Sequence, residues 1–147
     1  MRIPSLSGER RFLQATVAIL ALVPILAGAA GIVWGIGAFD RRLVPSLGSD
    51  SHMRYLSGVM LAIGLGYWST VPRIEAQGDR FRLLTGLVLV GGLARLYALA
   101  RVGVPGSAML AALVLELGVT PGLAIWRERV EVRETRCNAP ERYPEPG

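Results

Sequence analysis

Lysine is absent from this 147-residue sequence, and all sixteen of its basic residues are arginine. Such usage, beside heavy alanine, glycine and leucine, is a coding bias before it is a function. Cysteine is reduced to Cys137, in a polar tail, and histidine to His52. A single cysteine excludes a disulfide within the chain, a CxxC redox motif and any Cys/His zinc spacing. One histidine cannot build a di-iron site, and a haem with two histidine ligands would need a second chain. There is no Walker loop, dinucleotide fingerprint, HExxH or nucleophile elbow. No metal or cofactor is therefore expected. The chain also lacks a basic stripe with interleaved aromatics, so the net charge of +5 does not point to nucleic acid.

What is present is apolar and arranged in blocks. Hydrophobic residues make up 52% of the chain, and a helix needs ~20 of them in a row to cross a hydrocarbon core of about 30 Å. Four stretches are candidate spans: Phe12 to Gly37, with Pro24 inside it; Tyr55 to Val71, which is short and so takes His52 and Pro72 into its ends; Phe81 to Ala100; and Val104 to Trp126. The first run is too long for a cleaved signal core and reads as a retained span. The fold class expected is all-α, a four-transmembrane-helix bundle running up-down-up-down. Residues 1–10 form an N-terminal segment, 11–130 the bundle, and 131–147 a polar tail that starts helical and ends disordered. Arg2, Arg10, Arg11, Arg73, Arg80, Arg82 and the arginines from Arg127 onward fall on one side, against Arg41, Arg42, Arg54 and Arg101 on the other. That bias predicts both termini in the cytoplasm, and hence a multi-pass protein of a bacterial cytoplasmic (inner) membrane. Gly58, Gly91 and Gly92, among other span glycines, read as packing positions.

Two charges stand in costly places. A charge at mid-bilayer costs at least ~2.5–3.5 kcal/mol on insertion scales, so it normally has a partner. Arg95 lies eight residues before Gly103, and Glu116 lies thirteen after it. At about 1.5 Å per residue their depths differ by roughly 7 Å, within reach of an arginine side chain. An Arg95–Glu116 ion pair is therefore expected between neighbouring antiparallel spans, with Gly91 and Gly92 leaving room beside the guanidinium. The stretch "SDSHMRYLSG" opens the second span, with Ser49, Asp50 or Ser51 as candidate caps. Topology brings its His52, Arg54 and Tyr55 towards the outer half of the bundle, near Arg101. Each residue also has a plain structural reading. Arg95–Glu116 would fix helix register, Arg54 and Arg101 would snorkel to head groups, and His52 would be an interface residue. The functional reading is one polar pocket in which arginines bind a carboxylate or phosphate head group.

The stretches "DSHMRYLSGVMLAIGLGYW", "VPRIEAQGDRFRLLTGLVLVGGLARLYALARVGVPG" and "LELGVTPGLAIWRERV" resemble a bacterial family of small four-span membrane proteins. It is catalogued as a domain of unknown function, numbered four-three-four-five. The resemblance spans residues 9 to about 130 and rests on His52, Arg54, Tyr55 and Gly58; on Gly91, Gly92 and Arg95; on Gly103 and Pro105; and on Glu116. Where the family pattern leads one to expect serine after "ARL", Tyr97 stands here. The resemblance implies a four-helix membrane bundle and supports the polar residues as a set. It implies no reaction.

Two functions are therefore carried forward. One is a non-catalytic module that binds an amphipathic lipid or isoprenoid, or serves as an accessory subunit of a membrane complex. Its ligand contacts would be Arg95, Arg54, Tyr55, Arg101 and Tyr97. The other is a small membrane enzyme performing isomerisation or cyclisation on a hydrophobic substrate, with Glu116 and His52 as catalytic acid and base facing one cavity. A solute transporter ranks third, since four spans without a repeat would need oligomerisation. The partners expected are membrane lipids, a hydrophobic small molecule, and a second copy or a larger complex.

Overall fold

A computed structural model describes residues 4–38, 46–104 and 106–138. These residues are helical almost throughout, with no strand among them. Helix α1 spans Pro4–Trp34 and runs into a 3-10 turn, Gly35–Ala38. Helix α2 spans Leu47–Thr70 and ends in a 3-10 turn, Val71–Arg73. Helix α3 spans Gly78–Val102. The fourth rod comprises α4, Ser107–Val114, and α5, Thr120–Asn138, joined without a break by a π-helical turn at Leu115–Val119. Three of the four rods are long and apolar enough to cross a membrane: Gly8–Ala38, Gly78–Val102 and Ser107–Arg133. Helix α2, the remaining expected span, is not one of them; glycine, serine and ring hydroxyls dilute its apolar residues.

Helix α2 compensates by packing. Its contacts with α1 run in opposite chain directions, from Gln14 against Val71, through Gly64 against Ala21 and Ile25, to Gly28 against Ser57 and Leu61. Gly28 is where the two backbones meet: a Cβ there would lie 2.6 Å from the Leu61 nitrogen. Helices α2 and α3 meet near their connection, where Leu84 covers Gly66, and Tyr67 bonds Thr85 across 3.1 Å and stacks edge-on against Phe81.

The buried core lies towards this same end. Leu13, Val17, Ile74, Phe81 and Val130 are almost inaccessible, and so is Arg127, at 1% exposure. Arg127 donates from Nε to the Ile74 carbonyl at 2.8 Å, and from Nη2 to the Glu75 carbonyl at 2.9 Å and to Glu131 at 3.0 Å. Its guanidinium lies flat against Gly78, where a Cβ would come within 2.7 Å of Nη2. Around it Arg10 pairs with Glu75, Arg82 with Glu128, and Glu9 with both Arg133 and the Trp126 ring nitrogen. Thus α1, α3, α5 and the 71–78 connection are clasped at one end. At the other end the rods part: no Cα of α4 comes within 8 Å of α1 or α2, and α3 alone among the long helices reaches it.

The structure differs from the expected one at several places. Helix α2 starts earlier than expected, with Ser46 as N-cap and Ser49 reciprocating in a capping box, so neither Asp50 nor Ser51 is the cap. Helix α1 extends well ahead of Phe12, because the clasp gives its polar first turns partners. The tail is helical to Asn138, and its expected disorder falls on residues 139–147, outside those described. Arg2, Arg41, Arg42, Pro105, Arg142 and the Cys137 side chain likewise lie outside. A Cβ at Gly58 or Gly91 would meet nothing within 4 Å, so the packing role expected of these two is not seen; Gly28, Gly64, Gly66, Gly78 and Gly92 fill it.

The close approach at Gly28 makes it the most sensitive glycine of the α1–α2 pair. Gly28→Ala should lower stability in detergent by about 1–3 kcal/mol through overpacking. Gly58→Ala, which adds a methyl to open space in a helix, should leave stability unchanged or raise it. Thermal unfolding of the two purified variants checks this; equal melting temperatures would contradict the assigned contact.

Candidate functional site

The expected Arg95–Glu116 ion pair is present, and its geometry is bidentate. Arg95 Nε donates to Glu116 Oε2 at 3.0 Å, and Nη2 donates to Oε1 at 3.1 Å. Two parallel charge-assisted bonds make this the strongest polar contact a guanidinium and a carboxylate can form. Nη1 points to the Met109 sulfur at 2.7 Å, a weak acceptor. An arginine offers five N–H donors, so two remain without a partner among the described residues after these three contacts. The pair is not closed over: the Arg95 side chain is 29% exposed and that of Glu116 22%.

The local fold explains why Glu116 reaches Arg95. Gly92, one turn before Arg95, is buried and lets the fourth rod come close; a Cβ there would sit 2.8 Å from Leu117 and 3.0 Å from the Glu116 Cβ. Glu116 itself lies in the π turn. Pro121 has no N–H, and its ring crowds the carbonyl four residues back, so the helical ladder must open just before it. The Thr120 N–H accordingly bonds to the Leu115 carbonyl, one residue farther than in an α-helix, and the Thr120 hydroxyl donates to the same oxygen at 2.8 Å.

The other sequence-predicted residues stand elsewhere. Arg54 belongs to a second polar group at the start of α2. It donates to Asp50 at 2.7 Å and to the carbonyls of Ile32 and Val33, which close the C-terminus of α1. Asp50 also accepts from the Ile36 N–H at 3.3 Å. Between them Gly35 takes φ +58°, where a side chain would be strained and a Cβ would collide with the Asp50 carboxylate. Arg54 thus ties α2 to α1 rather than joining Arg95. A shallow depression of about 300 Å³ lies here, lined by Trp34, Ile36, Gly37, Ser46, Leu47, Asp50 and Arg54.

His52 and Tyr55 are exposed on α2, and Tyr97 and Arg101 are exposed on α3, with no hydrogen bond to their side chains among the described residues. No contact links His52 to Glu116, and α2 does not reach the π turn. The single outer pocket expected from topology is therefore two polar sites, because α1–α2 and α3–α4 separate away from the clasp. Three features escaped the sequence reading: the Asp50–Arg54 pair, the buried Arg127 and the π turn. The Asp50/Arg54 spacing of four in a helix and the "TPG" at 120–122 were the available signals; Arg127 had none beyond its place at the end of an apolar run. Among the described residues no group of three His, Cys, Asp or Glu side chains is arranged to hold a metal ion.

Residues 12–127 match a family model described as a domain of unknown function (DUF4345), and the chain belongs to that family. No curated protein and no solved structure matches it.

Two outcomes follow from these geometries. Arg95→Ala and Glu116→Ala should each destabilise the protein by about 1–3 kcal/mol, since each strands a partly buried charge. The double variant should lose clearly less than the sum, and additive losses in thermal unfolding would mean that the pair is uncoupled. The Arg54 guanidinium, and after it the Ile36 N–H, hold the Asp50 carboxyl below the usual carboxylate range. A depressed pKa stabilises fully above the unfolded-state value and is lost as pH falls through the folded one. The advantage of wild type over Asp50→Asn should be constant near neutrality and shrink in acid; a melting-temperature gap that widens on acidification would refute this.

Proposed function

We propose that this chain is a small multi-pass protein of a bacterial cytoplasmic membrane that binds an amphipathic lipid or isoprenoid at Arg95–Glu116. In this reading all four rods cross the bilayer, up-down-up-down, with both termini cytoplasmic and the clasp around Arg127 at the cytoplasmic face. The pair then lies in the outer half, where α3 is the one long helix beside α4 among the described residues. One observation carries the proposal. A pair that served only to fix register would spend its hydrogen bonds internally, whereas Arg95 keeps two N–H donors free at the open edge of a span. Inside hydrocarbon such donors need an acceptor, and the polar end of an amphiphile is the acceptor available there. An accessory role in a larger complex is the same reading with a second chain covering the open side.

The enzyme reading has less support. It requires Glu116 and His52 at one cavity, and they belong to separate groups. Both Glu116 oxygens also accept from Arg95, a pairing that favours the ionised carboxylate and makes it a weaker base.

The test is lipid analysis of copurified full-length protein, wild type against Arg95→Ala, with Gly58→Ala as a control. One amphiphile class should be enriched with wild type and the control, and should fall by about tenfold with Arg95→Ala, the size of one charge-assisted hydrogen bond. Identical profiles from all three proteins would sink the proposal.

A further inference from the structure

We infer that the head group bound at Arg95–Glu116 is uncharged and bears a hydroxyl, which accepts from Arg95 and donates to the main-chain carbonyl of Glu116. This rests on the reading of that pair as a ligand site and adds the chemistry of the ligand.

Charge comes first. Arg95 and Glu116 form a closed bidentate pair, so the site presents no net charge to a ligand. An anionic head group would have to leave water for a span while Glu116 stands beside the cation that should attract it. In a low-dielectric setting a third, uncompensated charge is strongly disfavoured. A hydroxyl brings no charge and can use the free Arg95 donors through its lone pairs.

The π turn supplies the complementary acceptor. In an α-helix the Glu116 carbonyl would accept from the Thr120 N–H, but that N–H bonds to Leu115. The next candidate, one residue on, is Pro121, which has no N–H. The usual local substitute, a threonine hydroxyl, is also taken, because Thr120 Oγ1 donates to Leu115. The Glu116 carbonyl is thus left without a ladder donor on the residue whose side chain holds Arg95. In hydrocarbon a freed carbonyl calls for a donor from outside the helix. One site therefore offers donors from Arg95 and an acceptor from the main chain, around a charge already neutralised. Hydroxyl is the simplest group that answers both.

Two probes with identical tails test this on the full-length protein in detergent: dioleoylglycerol, which has a hydroxyl head, and dioleoylphosphatidic acid, which has an anionic one. Wild type should bind dioleoylglycerol more tightly, on the order of tenfold. Glu116→Gln removes the charge that neutralises Arg95, and should reverse the preference towards the phosphate. Pro121→Ala restores the missing N–H, and should weaken dioleoylglycerol severalfold with little effect on the phosphate. A wild-type preference for phosphatidic acid that depends on Arg95, or a preference unchanged in Glu116→Gln, overturns the head-group inference alone. Failure of wild type to bind either probe, or binding of both that ignores Arg95→Ala, overturns the site reading beneath it as well.

Discussion

The guanidinium of Arg127 is the contact on which this arrangement of helices most depends. It carries a charge from α5 into a fully buried position and meets two carbonyls of the 74–75 connection and the Glu131 carboxylate. Burying an arginine is unfavourable unless its donors are met; here the connection between α2 and α3 meets Nε and, with Glu131, Nη2, while Nη1 is buried without a hydrogen-bond partner among the described residues. The consequence is geometric. The fourth rod cannot slide relative to that connection without stranding the charge, and α1 is tied to the same place through Arg10–Glu75 and Glu9–Arg133. With one end fastened so firmly, the helices need not pack along their full length. The gap between α4 and the α1–α2 pair follows from this, and the gap leaves Arg95–Glu116 partly open.

The two hairpins solve the problem of packing in opposite ways. Between α1 and α2, glycine removes side chains so that backbones touch at Gly28, and Arg54 covers the last carbonyls of α1. Van der Waals contact and capped ends dominate there. Between α3 and the fourth rod, close approach occurs at Gly78 against Arg127 and at Gly92 against the π turn, and the ion pairs Arg82–Glu128 and Arg95–Glu116 supply the rest. The first hairpin is a platform; the second has its polar groups available.

Much of this was legible in the amino-acid sequence, and the parts that were not have physical reasons. Three of the four expected spans follow from blocks of apolar residues, which report on solvent preference directly; α2 is helical where the second was expected but is not apolar enough to count with them. Arg95–Glu116 follows from one short turn and two helical rises, since a tight connection fixes relative depth. Convergence of His52, Arg54 and Tyr55 on that pair did not follow, because it assumed that all rods stay together to their outer ends. Whether hairpins part depends on side-chain contacts at the far end, where Arg127 has no local pattern to announce it. Gly58 and Gly91 illustrate the same limit: small residues permit close approach, but which face of a helix meets a neighbour is decided elsewhere in the fold. The cap of α2 was misplaced by one turn because serine occupies 46, 49 and 51 alike, and only the reciprocal bond between Ser46 and Ser49 tells them apart.

Proline explains why Glu116 differs from an ordinary paired carboxylate. A proline in a soluble helix is largely a cost, since water can satisfy the carbonyl it leaves behind. In a helix that crosses hydrocarbon the same carbonyl must find a donor within the protein or from a ligand. Pro121 opens the ladder at the turn that holds Glu116, and Thr120 repairs only the Leu115 side of the opening. The side chain of Glu116 is meanwhile spoken for by Arg95. One residue thus presents a paired carboxylate and a carbonyl without a ladder donor, and the two can be separated by substitution: Glu116→Gln alters charge, whereas Pro121→Ala acts on the main-chain ladder. A helix without Pro121 could still carry the ion pair, and it would then be a register lock. It is the coincidence of the opened ladder with the paired charge that makes the position a candidate for binding.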